Sequence, residues 1–273
     1  MRKMIKRAIS TLLIGLFCLT SSAGATLTRE QTYSLFEKAN QAFRRANSTA
    51  DDPDHAKRLY KEAILNYSRI IDDGRVRNPK LYYNLANAYL LSGDVGNAIL
   101  NYRRAEALDK GDTNIQKNLA FARSRRLDTV AVKSEQRIMQ TLFFWHYDFS
   151  VRTKFLIGAV CFAIVCASLT VMTWRGRAAP WVVTAVICGL VTVCSLTSVV
   201  LETRARARRA GGVITAEKVV ARQGDGQNYP ESFKDPLHAG TEFDLLERRS
   251  GWLHVRLSDN NDGWIPENSA DLI

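Results

Sequence analysis

The sequence predicts a multidomain membrane protein with three parts of different class: an all-α helical repeat unit, a two-helix transmembrane hairpin and a small all-β barrel. Three observations lead there. The stretch "LYYNLANAYLLSGDVGNAILNYRRAEALDK" (Leu81–Lys110) carries large and small apolar residues at helical spacing around a Ser-Gly-Asp break. Two runs, Phe155–Trp174 and Trp181–Leu201, contain no charged residue. Beyond residue 212 the helical period gives way to short alternating runs separated by turn residues.

Charge sets the first limits. The net charge is +11, with +7 over residues 129–211 and −5 over residues 212–273. The excess surrounds the apolar runs, as in a chain that meets anionic lipid headgroups, and the acidic C-terminal part argues against a nucleic-acid partner. Cys18, Cys161, Cys166, Cys188 and Cys194 all lie in apolar runs. The soluble segments therefore have neither a disulfide framework nor a cysteine zinc site.

The chain opens "MRKMIKRAISTLLIGLFCLTSSAGA". Arg2, Lys3, Lys6 and Arg7 precede an apolar body from Ile9 to Leu19, and Ala23-Gly24-Ala25 ends it. This is the form of a secretory signal peptide, residues 1–25, with the rest exported.

Residues 26–128 are helical by pattern. Leu85, Tyr89, Ala98, Tyr102 and Ala105 fall on faces that pack together, and Gly93 permits the turn between two helices. "FEKANQAF" (Phe36–Phe43) is a looser copy of "YNLANAY", and "EAILNYSRII" (Glu62–Ile71) of "NAILNYRRAE". The intervening segment is about eleven residues longer than the repeat needs, with Asp52-Pro53 as a helix start. "TNIQKNLAFARSRRL" (Thr113–Leu127) restarts the pattern as one closing helix. With Tyr82, Leu85, Ala86, Tyr89, Gly93, Ala98, Tyr102 and Ala105 in place, residues 79–112 resemble one 34-residue tetratricopeptide repeat (TPR). The resemblance implies a peptide-binding groove lined by the first helix of each repeat. Its candidates are Arg44 and Arg45, then Tyr83, Asn84, Asn87 and Leu90, then Lys117, Asn118, Phe121 and Arg125. Asn, Lys and Arg supply donors for a peptide backbone or carboxylate. Asn87 and Lys117 lie outside the apolar packing set, so the expectation is that replacing them leaves the fold intact.

Residues 129–154 form an amphipathic, aromatic juxtamembrane segment, with Phe143, Phe144, Trp145, Tyr147 and Phe149 ahead of Arg152 and Lys154. Such a segment anchors at the lipid interface. The spans, 155–174 and 181–201, are each about 30 Å long as helices, the thickness of a hydrocarbon core. Residues 175–180 make the loop between them, expected in the cytoplasm, and 202–211 a basic linker. Ala159, Ala163 and Ala167, with Ala185 and Gly189, give small residues at the spacing that lets two helices approach. Two spans return the chain to its starting side. The expected location is the inner membrane with both soluble parts in the periplasm. The basic run Arg204–Arg209 opposes that orientation, and the signal outweighs it.

Residues 212–273 read as strands ("GVITAEKVV", "TEFDLLE", "WLHVRL") with "SDNNDG" as a turn. Val219, Arg222, Gly224, Gly226, Tyr229, Leu237, Gly240, Thr241, Leu245, Trp252, Val255, Gly263, Trp264 and Leu272 resemble the bacterial SH3-like domain family. Tyr229, Trp252 and Trp264 are candidates for an aromatic shelf. The segment is expected to fold on its own.

No catalytic or metal-ligating constellation appears. The histidines His55, His146, His238 and His254 have no zinc spacing, and the chain has no G-x-S-x-G, P-loop or dinucleotide-binding glycine set. The expectation is a protein that is not an enzyme and has no cofactor. The order of signal, TPR unit, membrane hairpin and SH3-like domain resembles the BatE-like TPR proteins of bacterial Bat aerotolerance operons. That resemblance implies a scaffold working beside von Willebrand A-domain Bat proteins and a MoxR-type ATPase. The alternative class is a cell-wall module recognising peptidoglycan or its peptides through the SH3-like domain.

Overall fold

The computed structural model describes residues 27–49, 51–128, 149–176, 178–208 and 211–273. The signal segment and most of the aromatic juxtamembrane segment (129–148) lie outside the described residues. The chain is helix-rich, with a small antiparallel sheet and two long apolar helices. It divides into two units, residues 1–77 and 78–273.

The first unit is a hairpin of α1 (Arg29–Ser48) and α2 (Pro53–Asp72). Thr28 starts α1 with a reciprocal cap: its hydroxyl accepts from Gln31 N at 3.2 Å and its own N–H donates to Gln31 Oε1 at 2.9 Å. Asp52 caps α2 through His55 N at 2.9 Å, and Pro53 takes the first turn, where no N–H is needed. Small residues Ala39, Ala42 and Ala46 are buried on α1, with Leu59, Tyr60, Ala63, Tyr67 and Ile70 on α2. Tyr67 donates to Asn40 Oδ1 at 2.6 Å, which satisfies a phenol that is almost wholly buried.

The second unit begins with α3 (Pro79–Ser92), α4 (Val95–Leu108) and α5 (Thr113–Ser124). Asn78, Asp94 and Asp112 cap their N-termini. Gly93 ends α3 at φ +92°, a left-handed conformation that suits glycine and turns the chain into α4. Leu85 and Ala86 of α3 and Ala98, Tyr102 and Ala105 of α4 are buried at 3% exposure or less, as the spacing requires.

Helices α6 (Val151–Arg175) and α7 (Ala179–Arg208) are each long and apolar enough to cross a membrane. The connection is shorter than the expected 175–180, because α6 includes Arg175 and α7 starts at Ala179. The basic stretch expected as a linker continues α7 as helix to Arg208. The contact seam also differs from the expected one. Gly158 and Ser168 of α6 and Thr192 and Ser198 of α7 are buried, whereas Ala159, Ala163 and Ala167 are exposed. A Cβ on Gly158 would stand 3.4 Å from Ser195 Cβ, so α7 lies directly on it. The Thr192 hydroxyl bonds Cys188 O at 2.8 Å and faces Gly158 O at 3.4 Å. A helix face offering glycine and hydroxyls gives closer packing plus polar contacts than an all-alanine stripe.

Seven strands close the chain: β1 (Gly211–Ile214), β2 (Lys218–Val219), β3 (Leu237–His238), β4 (Glu242–Arg249), β5 (Trp252–Arg256), β6 (Asp262–Pro266) and β7 (Ala270–Leu272). Five form an antiparallel sheet in the order β6-β5-β4-β1-β7, and β2 pairs with β3. The ladder shifts register between Leu245 and Glu247, and Asn260 turns the β5–β6 connection at φ 73°. Ile214, Leu237, Phe243, Leu253, Val255 and Ile265 form the sheet core. Alternation along β1 sends Val213 the other way, into the helical core of Ala86, Ala98, Ile99 and Leu119.

Candidate functional site

The α3 and α5 candidates form one stripe. Tyr83, Asn87 and Leu90 recur along α3 at helical spacing, as do Asn118, Phe121 and Arg125 along α5. Hydrogen bonds join the two rows. The Asn118 amide donates to Tyr83 Oη at 2.9 Å and to Asn87 Oδ1 at 3.0 Å. Tyr102, from beneath, donates its hydroxyl to the same Asn87 Oδ1 at 2.5 Å. Burial pushes the Tyr102 hydroxyl well above the ordinary phenol range, so it stays a donor. Its ring lies 5.9 Å from that of Tyr83.

This geometry corrects the expectation that Asn87 is dispensable to the fold. Asn87 Oδ1 accepts two hydrogen bonds, one of them from a fully buried phenol for which it is the acceptor. The same two bonds fix the amide, turning its NH2 away from Tyr102 and Asn118. Phe121 is 49% exposed, with the Arg125 guanidinium 4.9 Å above its ring. Lys117 is exposed and Asn84 half-buried, while Leu90 packs on the helical core. Arg44 and Arg45 are exposed on α1, in the first unit.

The sheet candidates are held differently. On the outer side of β5 and β6, His254 opposes Trp264 and Trp252 opposes Pro266. His254 stacks on Trp264 at 4.7 Å with the planes 4° apart, and the Arg249 guanidinium lies 4.8 Å from the same ring. Trp264 is therefore only 7% exposed: a ring covered by His254 and Arg249, not a bare shelf. Trp252 is half-buried. Tyr229 is 48% exposed and packs against Gly224, where a Cβ would stand 2.7 Å from its ring. Arg222 holds the Tyr229 carbonyl at 2.8 Å.

Sequence reading missed the polar contacts between α5 and the sheet. Arg123 Nε and Nη2 each donate to Glu242 at 2.7 Å, a bidentate pair between residues 119 positions apart. One local sign exists: Arg123 stands 34 residues after Tyr89, where the repeat pattern has a packing aromatic. Among the described residues, no group of three His, Cys, Asp or Glu could hold a metal ion. No protein-family model matches the chain, and no curated protein matches it.

Proposed function

We propose that this protein is a non-enzymatic, membrane-held docking scaffold whose α3–α5 face takes a segment of a partner protein. The observation that carries the reading is the Tyr83–Asn87–Asn118 network beside exposed Phe121 and Lys117. It presents the fixed Asn87 amide NH2, an aromatic surface and cations along one stripe. An extended peptide needs those groups for its carbonyls, apolar side chains and acidic groups. Lys117 and Arg125 bias the choice toward an acidic segment or a free C-terminus.

The helices read as a TPR unit. Both hairpins carry the same second-helix tyrosine on a first-helix asparagine, Tyr67 on Asn40 and Tyr102 on Asn87, which supports an internal repeat. The sheet reads as an SH3-like domain. On this reading the two apolar helices are spans of the inner membrane, and the signal segment read in the sequence puts the soluble parts in the periplasm. The resemblance to BatE-like proteins makes von Willebrand A-domain Bat proteins the partners of choice. Wall recognition by the sheet has less support, because Arg249 and His254 cover Trp264.

Co-purification from membranes tests the reading. Lys117→Ala with Phe121→Ala changes two exposed side chains and keeps the Asn87 network. The pair should lose the partner while retaining the parent's thermal stability. Full partner recovery would remove the α3–α5 face as the docking surface.

A further inference from the structure

Strand β1 is buried on both sides. Ile214 faces the sheet core and Val213 the helical core, each at 0% exposure. Two glycines allow the approach. On α4, Gly96 leaves room for Ile214 O and Ala239 Cβ, which a Cβ would meet at 3.0 and 3.1 Å. On the sheet side, Gly240, at φ +92°, sits where a Cβ would be 2.9 Å from Ile99 Cδ1.

Charge reinforces the contact. Glu242, which opens β4, takes the bidentate pair from Arg123 and has Arg103 Nε at 3.1 Å and Arg126 Nη1 at 3.4 Å. Burial opposes its ionisation, yet these arginines hold the carboxyl below its ordinary value. Asp128, past the end of α5, accepts from His238 N at 2.6 Å and Thr241 Oγ1 at 2.6 Å, and lies 2.8 Å from His238 Nδ1. Arg104 donates to Leu272 O at 2.7 Å. The residue Asp128 grips, Thr241, also receives Ile214 N at 2.9 Å. So the chain is fixed to one place at Asp128, ahead of the apolar hairpin in the sequence, and at Ile214, soon after it.

We infer that residues 78–128 and 211–273 are a single folding unit into which the apolar hairpin is inserted, with the sheet acting as the cap that closes the end of the helical stack. Neither part is complete alone. Without the sheet, Ile99 and the Arg103–Arg123–Arg126 cluster lose their cover. Without the helices, Val213 and the Glu242 carboxylate lose theirs. The unit also requires both parts to lie on the same side of any membrane that the hairpin crosses.

Hydrogen exchange on the full-length protein in lipid nanodiscs tests this, with a variant from each side. Glu242→Lys, on the sheet, should raise exchange about tenfold or more in α4 and α5 as well as in residues 211–214 and 238–242. Gly96→Leu, on the helices, should raise it in residues 211–214 and 238–242 while β5 and β6 remain protected. Gln227→Glu, on an exposed loop, should change neither. If each variant alters exchange only in the part that carries it, the two parts are independent domains and the inference is overturned.

Discussion

Tyr102 donates a hydrogen bond from its hydroxyl to Asn87 Oδ1, and so ties the buried side of the helical hairpin to the proposed docking face. Removing the acceptor should therefore cost stability as well as binding. Asn87→Ala removes the acceptor of a buried hydroxyl and should lower stability by about 1–3 kcal/mol. Tyr102→Phe should cost about 1 kcal/mol, and the double variant less than the sum. Thermal unfolding of the three variants measures this. Strict additivity would show that the pair does not act as a unit.

Overpacking should separate fold from face. Ala98 is 0% exposed on α4, so Ala98→Leu should destabilise the helices by about 1–3 kcal/mol or more. Lys117→Ala, on the exposed stripe, should stay within about 0.5 kcal/mol of the parent. Equal effects would contradict the assigned faces.

Acid should loosen the contact between helices and sheet. The Glu242 and Asp128 carboxyls both sit below their ordinary values in the folded protein. Their contribution is complete above the unfolded values, roughly pH 4–4.5, and is lost as the pH falls through the lower folded values. The melting temperature should hold between about pH 6 and 8 and drop below about pH 4. Glu242→Gln with Asp128→Asn should lower it at neutral pH and flatten that drop. An unchanged acid profile would remove these carboxyls from the account.

The apolar hairpin has a register that cross-linking reads. With the native cysteines replaced and a protease site placed at Gly176, Gly158→Cys with Ser195→Cys should form a disulfide that holds the cut halves together. Ala163→Cys with Ser195→Cys should not, because Ala163 faces outward. The reverse result would restore the alanine stripe as the seam.

The parts legible in the sequence are those fixed by local chemistry. Gly93 marks a turn because few other residues take φ +92° cheaply, and Ala98 and Tyr102 mark a packed face by their spacing. The hairpin seam was not legible. In an apolar helix every face is hydrophobic, so Ala159-Ala163-Ala167 and the Gly158–Ser168 side look alike until a partner helix chooses. The Arg123–Glu242 pair was beyond reach because no local period relates a residue before the apolar hairpin to one after it in the sequence. For the candidate face, spacing placed Asn87 and Asn118 together but could not tell that Asn87 also serves a buried tyrosine.

The docking face itself is tested most directly by site-specific photo-cross-linking in membranes of the native cell. A benzophenone amino acid replaces Phe121, which is 49% exposed on the stripe, or Leu65, which is 62% exposed on α2. The account predicts a discrete adduct from position 121, containing a von Willebrand A-domain protein, and none of that adduct from position 65. The same adduct from both positions, or none from position 121 in a folded protein, would contradict it.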